Sequence, residues 1–220
     1  MNIAVITGAS RGIGRATAEE FLQEGYFVIG ASRTIKSQTF NPENFSALTL
    51  DLASSHSIKK VSDEIKNKIK KVDILINNTG ILVDYHLSEV NISKLRQTLE
   101  VNLIGLIDFT EKLLSIISTG GSIVILSSGR GSLNQPLSDI IAPAYNISKT
   151  AVLMYTKILA ARLADRQVTV SAIDPGWVRT DMGGAGADRE PNEAAEDIFK
   201  LATGAVESGK FWYKGRTRPW

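Results

Sequence analysis

The glycine-rich stretch at residues 7–14 constrains the fold of this chain more than any other feature. A continuous apolar run at residues 2–7 leads into it and predicts a short buried strand, and the amphipathic segment at residues 15–24 predicts a helix. Glycines allow a tight turn and a close approach of the backbone to a pyrophosphate, which the N-terminus of the helix then faces. Strand, turn and helix in this order predict a dinucleotide-binding site.

Short apolar runs and helical patterns alternate along the rest of the chain. The runs predict strands at residues 26–31, 46–50, 73–76, 122–126 and 168–173, and an edge strand at residues 210–213. Helices are predicted at residues 55–70, with Ser55 as N-cap, at residues 93–118 and 145–164, and from Pro191 onward. Such alternation predicts a parallel sheet. We therefore expect one α/β domain over residues 1–220, a Rossmann fold whose doubly wound parallel sheet of about seven strands has helices on both faces.

Composition excludes several other classes of site. With 43% hydrophobic and 22% charged residues, the chain is ordinary for a globular protein. It has no cysteine and two histidines, so we expect no disulfide, no thiolate nucleophile and no metal site. The formal net charge of +2 predicts no nucleic-acid partner. The basic residues near the end are interpreted as a solvated, strand-bearing tail; they are Lys210, Lys214, Arg216 and Arg218.

We expect a cytoplasmic protein without a membrane partner. Met1 leads straight into the first apolar run, with no signal peptide before it. No apolar run reaches the ~18 residues that predict a membrane span.

Tyr145 and Lys149 are the first candidates for chemistry. Their spacing of four residues, at the start of a predicted helix, places the phenol and the ammonium on one helix face. A nearby positive charge favours the phenolate, so Lys149 is expected to lower the pKa of Tyr145 from ~10 and let it pass a proton near neutral pH. Alone this spacing is weak, because it occurs by chance in many helices.

The end of the second predicted strand favours a phosphorylated cofactor. An NAD-specific site needs a carboxylate about twenty residues past the glycines, to accept a hydrogen bond from the ribose. Ser32 and Arg33 stand there instead, and an arginine binds a 2′-phosphate that a carboxylate would repel. Arg11, inside the glycine turn, is a second candidate for the same phosphate. We expect NADP(H) to be preferred over NAD(H); the alternative is that both arginines are solvated loop residues.

Polar residues follow the other predicted strands, at the sheet edge where open α/β sheets bind ligands. They include Asp51-Leu52, Asn77-Asn78-Thr79-Gly80, Ser127-Ser128 and Asp174-Pro175-Gly176. Asn102 instead lies inside the helix predicted at residues 93–118, where asparagine competes for backbone hydrogen bonds. It is either a satisfied polar residue or the mark of a helix bend.

Together these pieces resemble the classical short-chain dehydrogenase/reductase family over nearly the whole chain. The matching pieces are Thr7-Gly8-x-x-x-Gly12-x-Gly14, Asn77-Asn78-Thr79-Gly80, Asn102, Ser128, Tyr145-x-x-x-Lys149 and Pro175-Gly176. Each is weak alone, and their joint occurrence in order is very specific. Residues 175–184 and the ending Ser208-Gly209-Lys210-Phe211-Trp212 further resemble the carbonyl-reductase-like branch.

The resemblance implies an oxidoreductase that reduces an aldehyde or ketone of a small molecule to an alcohol, with hydride from NADPH. It implies that Tyr145 protonates the substrate oxygen, while Lys149 lowers the pKa of Tyr145 and holds the nicotinamide ribose. Ser128 would orient the carbonyl, and Asn102 would hold a water of a proton relay. A homodimer or homotetramer is implied as well.

The resemblance also implies which residues bind the cofactor. Asp51 and Leu52 would contact the adenine, residues 78–80 the adjacent ribose, and Val178 and Thr180 the carboxamide. The full predicted set is Gly8, Ser10, Arg11, Gly12, Ile13, Gly14, Arg33, Asp51, Leu52, Asn78, Thr79, Gly80, Tyr145, Lys149, Pro175, Gly176, Val178 and Thr180.

The chain departs from the family pattern at two places. Thr79 stands where the family motif has alanine, a change that keeps the backbone role open, and the gap from Ser128 to Tyr145 is longer than the commonest spacing. The longer loop bears on the substrate rather than on the chemistry. The expected pocket wall comprises Leu82, Tyr85, His86, residues 129–143, Trp177 and Met182.

Two other functions remain open from the sequence. The first is a catalytically silent NAD(P)-binding sensor or scaffold, although such proteins usually lack one of the four catalytic residues and this chain has all four. The second is an epimerase or dehydratase of the extended branch, which would need a larger substrate domain than the residues after Ile173 provide.

Overall fold

A sheet of eight strands organises this computed structural model, which describes residues 1–35, 40, 43–134 and 140–220. The strands follow the spatial order β3-β2-β1-β4-β5-β6-β7-β8. The first seven run parallel, and β8 runs antiparallel to β7. The bounds are β1 (Ile3–Thr7), β2 (Phe27–Ser32), β3 (Phe45–Thr49), β4 (Val72–Asn77), β5 (Ile117–Leu126), β6 (Thr169–Ile173), β7 (Lys210–Tyr213) and β8 (Arg216–Thr217). The predicted doubly wound Rossmann sheet is confirmed.

The strand β8 is a correction to the prediction of about seven strands, and it displaces β7 from the sheet edge. Lys214 and Gly215 between them both have positive φ, 48° and 72°. Two such residues form the tight hairpin turn whose twist matches that of paired strands. The turn folds the chain back, so that Arg216 pairs with Tyr213.

Helices cover both faces of the sheet. They are α1 (Gly12–Gln23), α2 (Ser55–Lys68), α3 (Ile92–Leu99), α4 (Leu106–Leu113), α5 (Pro143–Arg162) and α6 (Pro191–Thr203). Short 3₁₀ turns lie at Leu114–Ile116, Gly129–Gly131 and Ala164–Arg166. Among the described residues, no helix combines the length and the hydropathy that a membrane crossing requires.

Most of the core lies in two apolar layers that the sheet separates, and a smaller cluster contains Leu153, Ala172 and Phe211. Successive side chains of a strand point to opposite faces. In β1, Ile6 accordingly packs in one layer with Phe21 of α1 and Ile198 of α6, whereas Val5 packs in the other layer with Phe109 of α4. The second layer also contains the buried faces of α2 and α5. This double cover explains why the strands are continuous apolar runs rather than alternating ones.

The helix predicted at residues 93–118 is the largest error in the sequence interpretation. The segment contains α3, a π-helical segment at Glu100–Gly105, and α4, and it ends at Ile116. Strand β5 then begins at Ile117, five residues before its predicted start. Apolar residues on a helix and on a buried strand cannot be told apart by periodicity over so short a run. At the start of α2, Ser54 rather than Ser55 is the N-cap, because its side chain accepts from the backbone N–H of Ser57.

Candidate active site

A cleft of about 1720 Å³ opens along the carboxyl ends of the parallel strands. The strand order reverses between β1 and β4, and ligands of open α/β sheets bind outside the strand ends at this reversal. Each predicted cofactor-binding residue, from Gly8 to Thr180, lines the cleft. Of the four predicted catalytic residues, Ser128, Tyr145 and Lys149 line it as well.

The glycine turn after β1 has the geometry of a phosphate-binding turn. Gly8 and Gly12 have positive φ, 72° and 55°, which side-chain-bearing residues rarely adopt. At Gly14 a β-carbon would lie 2.3 Å from the carbonyl oxygen of Gly8, so only glycine fits there. No described side chain caps the N-terminus of α1. The first residues of α1, Gly12 to Gly14, line the cleft, so an anion bound there can accept from the N–H groups of this helix end.

Thr7 joins the glycine turn to the end of β4. Its hydroxyl oxygen accepts hydrogen bonds of 3.0 Å from the backbone N–H groups of both Asn78 and Thr79. The side-chain amide of Asn78 donates in return to the carbonyl of Thr7 at 2.8 Å. The motif includes Thr7 but does not reveal this link to β4. Since Thr7 binds residue 79 through the backbone N–H, threonine can stand at this position in place of the alanine of the family motif.

The two arginines expected near the cofactor phosphate lie in different surroundings. Arg33, just past β2, is exposed and lines the cleft. Arg11 also lines the cleft, but its guanidinium donates to the carboxylate of Asp181 at 2.5 Å. Both side chains of that pair are more than two-thirds exposed, at 71% and 72%. An exposed ion pair contributes ~1 kcal/mol or less, so a bound phosphate can compete with Asp181 for Arg11.

The Ser128, Tyr145 and Lys149 side chains meet where β5 ends against α5. The Tyr145 hydroxyl is hydrogen-bonded to Ser128, and the Lys149 ammonium nitrogen lies 5.5 Å from the centre of the Tyr145 ring. The same nitrogen donates to the carbonyl of Leu126 at 2.8 Å. The hydroxyl of Ser127 donates to the carbonyl of Lys149 at 2.9 Å, which fastens α5 to the end of β5.

The pKa expected for Tyr145 needs correction. Burial is the main cause that raises the pKa of Tyr145 to about 12, and the Asp174 carboxylate acts in the same direction. A hydrogen bond with Ser128 and the Arg130 guanidinium both lower this pKa. Burial also lowers the pKa of Lys149 to about 8, against a raising effect of Asp174. In the chain alone, loss of hydration therefore outweighs the expected effect of the lysine on the phenol.

Asn102 lies behind the cleft, in the π-helical segment, and is fully buried. Its side-chain oxygen accepts from the backbone N–H of Ile81 at 2.8 Å. Its amide nitrogen donates to the carbonyl of Ile81 at 2.9 Å and to the hydroxyl of Ser148 at 3.1 Å. Both readings of this residue hold: it is satisfied, and it lies in an irregular helical segment. A water relay at Asn102 stays a prediction. Because both side-chain amide protons of Asn102 are engaged, a relay water would have to bind an oxygen atom of this residue.

The interpretation of the basic C-terminal residues as solvated is wrong for Arg218, which is largely buried. Its side chain is 12% exposed and forms an ion pair with Asp174, which directly follows β6 and whose side chain is 10% exposed. Both residues line the cleft. The available signal was the acidic residue directly before Pro175-Gly176, at a strand end, which a cation from another segment can pair with.

The residues of the expected pocket wall lie together in the cleft. The five individually predicted residues line it; they are Leu82, Tyr85, His86, Trp177 and Met182. Of the predicted loop at residues 129–143, Gly129, Arg130 and Ser132 line the cleft, and residues 135–139 lie outside the described residues. The Tyr85 and Trp177 side chains are about half exposed, at 47% and 56%, so this wall is partly aromatic.

The family model for short chain dehydrogenase matches residues 2–191. The chain belongs to the short-chain dehydrogenase/reductase family and is an oxidoreductase of that family. Its fold and its cleft agree with that membership.

Curated relatives include enzymes with different cofactors and substrates. A 3-amino-tetrahydro-pyrrolizinone reductase of Xenorhabdus hominickii is 34% identical over 81% of this chain, although the match spans only 62% of that protein. An NAD-dependent glycerol dehydrogenase of Listeria innocua is 30% identical over 96% of this chain and 81% of its own length. Carbonyl reductase family member 4 of Xenopus laevis is 29% identical over 90% of both chains.

Solved structures give the same family. A short-chain dehydrogenase/reductase from Burkholderia multivorans with bound NADP is 26% identical, covers 100% of this chain and 99% of its own, and superposes with a TM-score of 0.86. The carbonyl reductase Sniffer of D. melanogaster is 23% identical and covers both chains fully with a TM-score of 0.90, which shows the shared fold.

Proposed function

We propose that this protein reduces an aldehyde or ketone of a small molecule to an alcohol, with NADPH as the hydride donor and Tyr145 as the proton donor. The observation that carries the proposal is the meeting of the Ser128 and Tyr145 hydroxyls in the cleft, above the buried ammonium of Lys149. The predicted cofactor residues line the other part of the same cleft.

The chain's own residues would position the substrate and manage its proton. When bound, NADPH supplies the hydride. The hydroxyls of Ser128 and Tyr145 hold the carbonyl oxygen, and Tyr145 transfers a proton to it. A pKa of about 12 keeps the Tyr145 phenol fully protonated at neutral pH, which suits reduction.

Lys149 is suited to return the proton to Tyr145. Its pKa of about 8 lies well below the value of about 12 for Tyr145, so proton transfer from the ammonium to a phenolate is downhill. The two groups lie on one face of α5. The buried ammonium would also hold the nicotinamide ribose.

We propose NADP(H) as the preferred cofactor because of Arg33. It lies at the carboxyl end of β2, exposed to the cleft, where an NAD-specific site has a carboxylate. The relatives include an NAD-dependent enzyme, and the Burkholderia multivorans structure holds NADP. The preference therefore rests on this arginine.

We propose a homodimer or homotetramer that uses the outer side of α5. Ile147, Met154 and Ile158 are exposed there, at spacings of seven and four residues that place them on one helix face. Ile104, in the π-helical segment that packs against α5, is exposed as well. Such contiguous apolar surface is typical of an interface between subunits.

The test is oxidation of NADPH with a panel of aldehydes, ketones, diketones and quinones. We expect turnover with some of them, and Tyr145→Phe should abolish it while NADPH affinity stays nearly unchanged, because only the proton donor is lost. Retention of more than a few per cent of turnover in Tyr145→Phe would show that another group is the acid. A silent nucleotide binder would bind NADPH and turn over none of the panel.

A further inference from the structure

The ion pair between Arg218 and Asp174 is largely buried and is packed against two aromatic rings. A guanidinium nitrogen of Arg218 donates to one carboxylate oxygen of Asp174. The guanidinium lies over the rings of Phe211 and Tyr213 at 5.2 and 5.3 Å from their centres. Both side chains are about nine-tenths buried. An arginine in this position has little freedom to exchange its partner.

The pair lies directly beneath the loop that carries Ser128. A β-carbon at Gly129 would lie 3.0 Å from the paired carboxylate oxygen of Asp174 and 3.2 Å from both terminal nitrogens of Arg218. Both members of the pair line the same cleft as Tyr145 and Lys149. The pair is therefore part of the wall of the active site rather than a distant structural contact.

Asp174 has a structural task that brings its charge close to the reacting groups. Its second carboxylate oxygen accepts from the backbone N–H of Gly176 at 3.0 Å, and so shapes the loop that is expected to contact the nicotinamide. The same negative charge acts on both groups of α5, raising the pKa of Tyr145 and that of Lys149. An unpaired carboxylate here would hold a proton on each of them to higher pH.

Two other arginines, Arg130 and Arg189, act near the ion pair, and each has interactions of its own. Arg130, on the 3₁₀ turn after Ser128, acts on Tyr145 and lowers its pKa. Arg189 donates to the carbonyl of Pro175 at 2.6 Å, and its charge is balanced by Asp197 at 2.7 Å. Among the described residues, Arg218 is the cation that forms an ion pair with Asp174.

The residues that follow Arg218 fix it in place. The carbonyl of Pro219 accepts from the hydroxyl of Ser132 at 3.1 Å. The backbone oxygen of Trp220 accepts from the backbone N–H and the side-chain amide of Asn134, at 2.9 and 3.0 Å. The tail thus bridges from β8 to the loop after Ser128, with Arg218 at the inner end of the bridge.

We propose that Arg218 is a positioning residue for the reaction, because its pairing with Asp174 limits the action of that carboxylate on Tyr145 and Lys149. The proposal rests on the proposed function for its effect on the reaction, whereas its electrostatic part concerns the protein alone. Arg218 would set the pH range in which the two groups of α5 exchange protons.

The experiment follows the titration of Lys149 by NMR of protein with isotope-labelled lysine, with the signal assigned through Lys149→Met. Arg218→Met leaves Asp174 unpaired and should raise the pKa of Lys149 by about one unit, the lower end of the effect of a charge in close proximity. Asp174→Asn leaves Arg218 unpaired and should lower that pKa. The double variant should return close to wild type. Arg218→Lys, which keeps the charge, should lie nearer to wild type than Arg218→Met.

Arg216→Met is the matched control, because Arg216 lies on the same tail two residues earlier and is exposed. It should leave the titration of Lys149 unchanged. If Arg218→Met fails to fold, the titration of Lys149 in Asp174→Asn alone tests the proposal, because asparagine is nearly isosteric with aspartate. Unmoved titrations in Asp174→Asn and Arg218→Met would show that the pair is only structural.

A second measurement is the pH dependence of alcohol oxidation with NADP⁺, which needs the phenolate of Tyr145. Its midpoint should rise in Arg218→Met and fall in Asp174→Asn, whereas a purely structural role would lower the rate at all pH values alike. A wild-type protein that turns over no substrate would overturn the proposed function. The lysine titration, which needs neither substrate nor cofactor, would still decide the role of the pair.

Discussion

The Asp84 carboxylate accepts a hydrogen bond of 2.6 Å from the backbone N–H of Ala144, the residue before Tyr145. Asp84 is 2% exposed and comes from the loop after β4, sixty residues earlier in the chain. The residue that precedes α5 is Ala142, whose side chain cannot cap the helix. An acidic side chain from another segment therefore caps the helix that carries Tyr145 and Lys149, where it also interacts favourably with the helix dipole.

The first prediction concerns this cap. Asp84→Ala should lower the free energy of unfolding by about 1–2 kcal/mol, the usual cost of a lost cap. It should also reduce kcat, because the first turn of α5, which holds Tyr145, loses its anchor. Asp84→Asn keeps an oxygen acceptor and should retain most of both properties. Chemical denaturation and steady-state kinetics measure the two effects.

Asn91→Ala is the matched control for the cap. Asn91 caps α3 by accepting from the backbone N–H of Lys94 at 3.0 Å, so the variant should lose similar stability. Its kcat should stay close to that of wild type, since α3 carries none of the proposed catalytic residues. Equal losses of kcat in both variants would mean that Asp84 acts only through stability.

The second prediction concerns the choice of cofactor. Arg33→Asp should reverse the preference for NADPH, because it replaces a cation with a carboxylate where the 2′-phosphate is expected. Charge-assisted contacts of this kind contribute about 1.5–3 kcal/mol, so wild type should favour NADPH by tenfold or more. Calorimetric titration with both cofactors measures the ratio. Arg216→Asp makes the same change of net charge on an exposed strand and should leave the ratio unaltered; equal affinities in wild type would refute the claim.

The third prediction concerns the partner of Arg11. Asp181→Asn removes the carboxylate that pairs with Arg11 at 2.5 Å, and so frees the guanidinium for a phosphate. Since an exposed pair contributes ~1 kcal/mol or less, NADPH should bind up to about fivefold more tightly. In an Arg11→Ala background, Asp181→Asn should have a smaller effect. If the gain is the same in both backgrounds, Arg11 does not bind the cofactor.

Most of the fold could be predicted because its signals are local. Most of the parallel strands contain a short apolar run that is followed by a polar residue or glycine, and most of the helices begin or end at such residues. The segment around Asn102 could not be predicted, because the partner of Asn102 in this π-helical segment is the backbone of Ile81, twenty-one residues earlier in the chain. The hairpin at Lys214 was missed because positive φ at a lysine carries no sequence signal.

The site could be predicted where a motif places residues close together in the chain. Contacts between residues that are distant in the chain could not be predicted. Spacing alone brought Tyr145 close to Lys149. Asp84 binds the start of α5 and Arg218 binds Asp174, each from a segment that is distant in the chain, and neither shows periodicity or a motif. The pKa of Tyr145 was misjudged for a related reason: spacing reveals the neighbouring charge but not the burial that outweighs it.

The fourth prediction concerns stability and pH through Lys149. This residue is 4% exposed, and burial lowers its pKa from 10.5 to about 8. Between these two values the unfolded chain binds a proton that the folded protein does not, so the free energy of unfolding rises with pH. Lys149→Met removes this contribution. The stability of wild type relative to Lys149→Met should therefore increase from about pH 8 to pH 10.5, by up to about 3 kcal/mol at 1.36 kcal/mol per pKa unit.

Lys157→Met, on the exposed side of the same helix, controls for the loss of a positive charge and should show no comparable slope. A stability difference that stays flat across this range would show that burial does not lower the pKa of Lys149 in the folded protein.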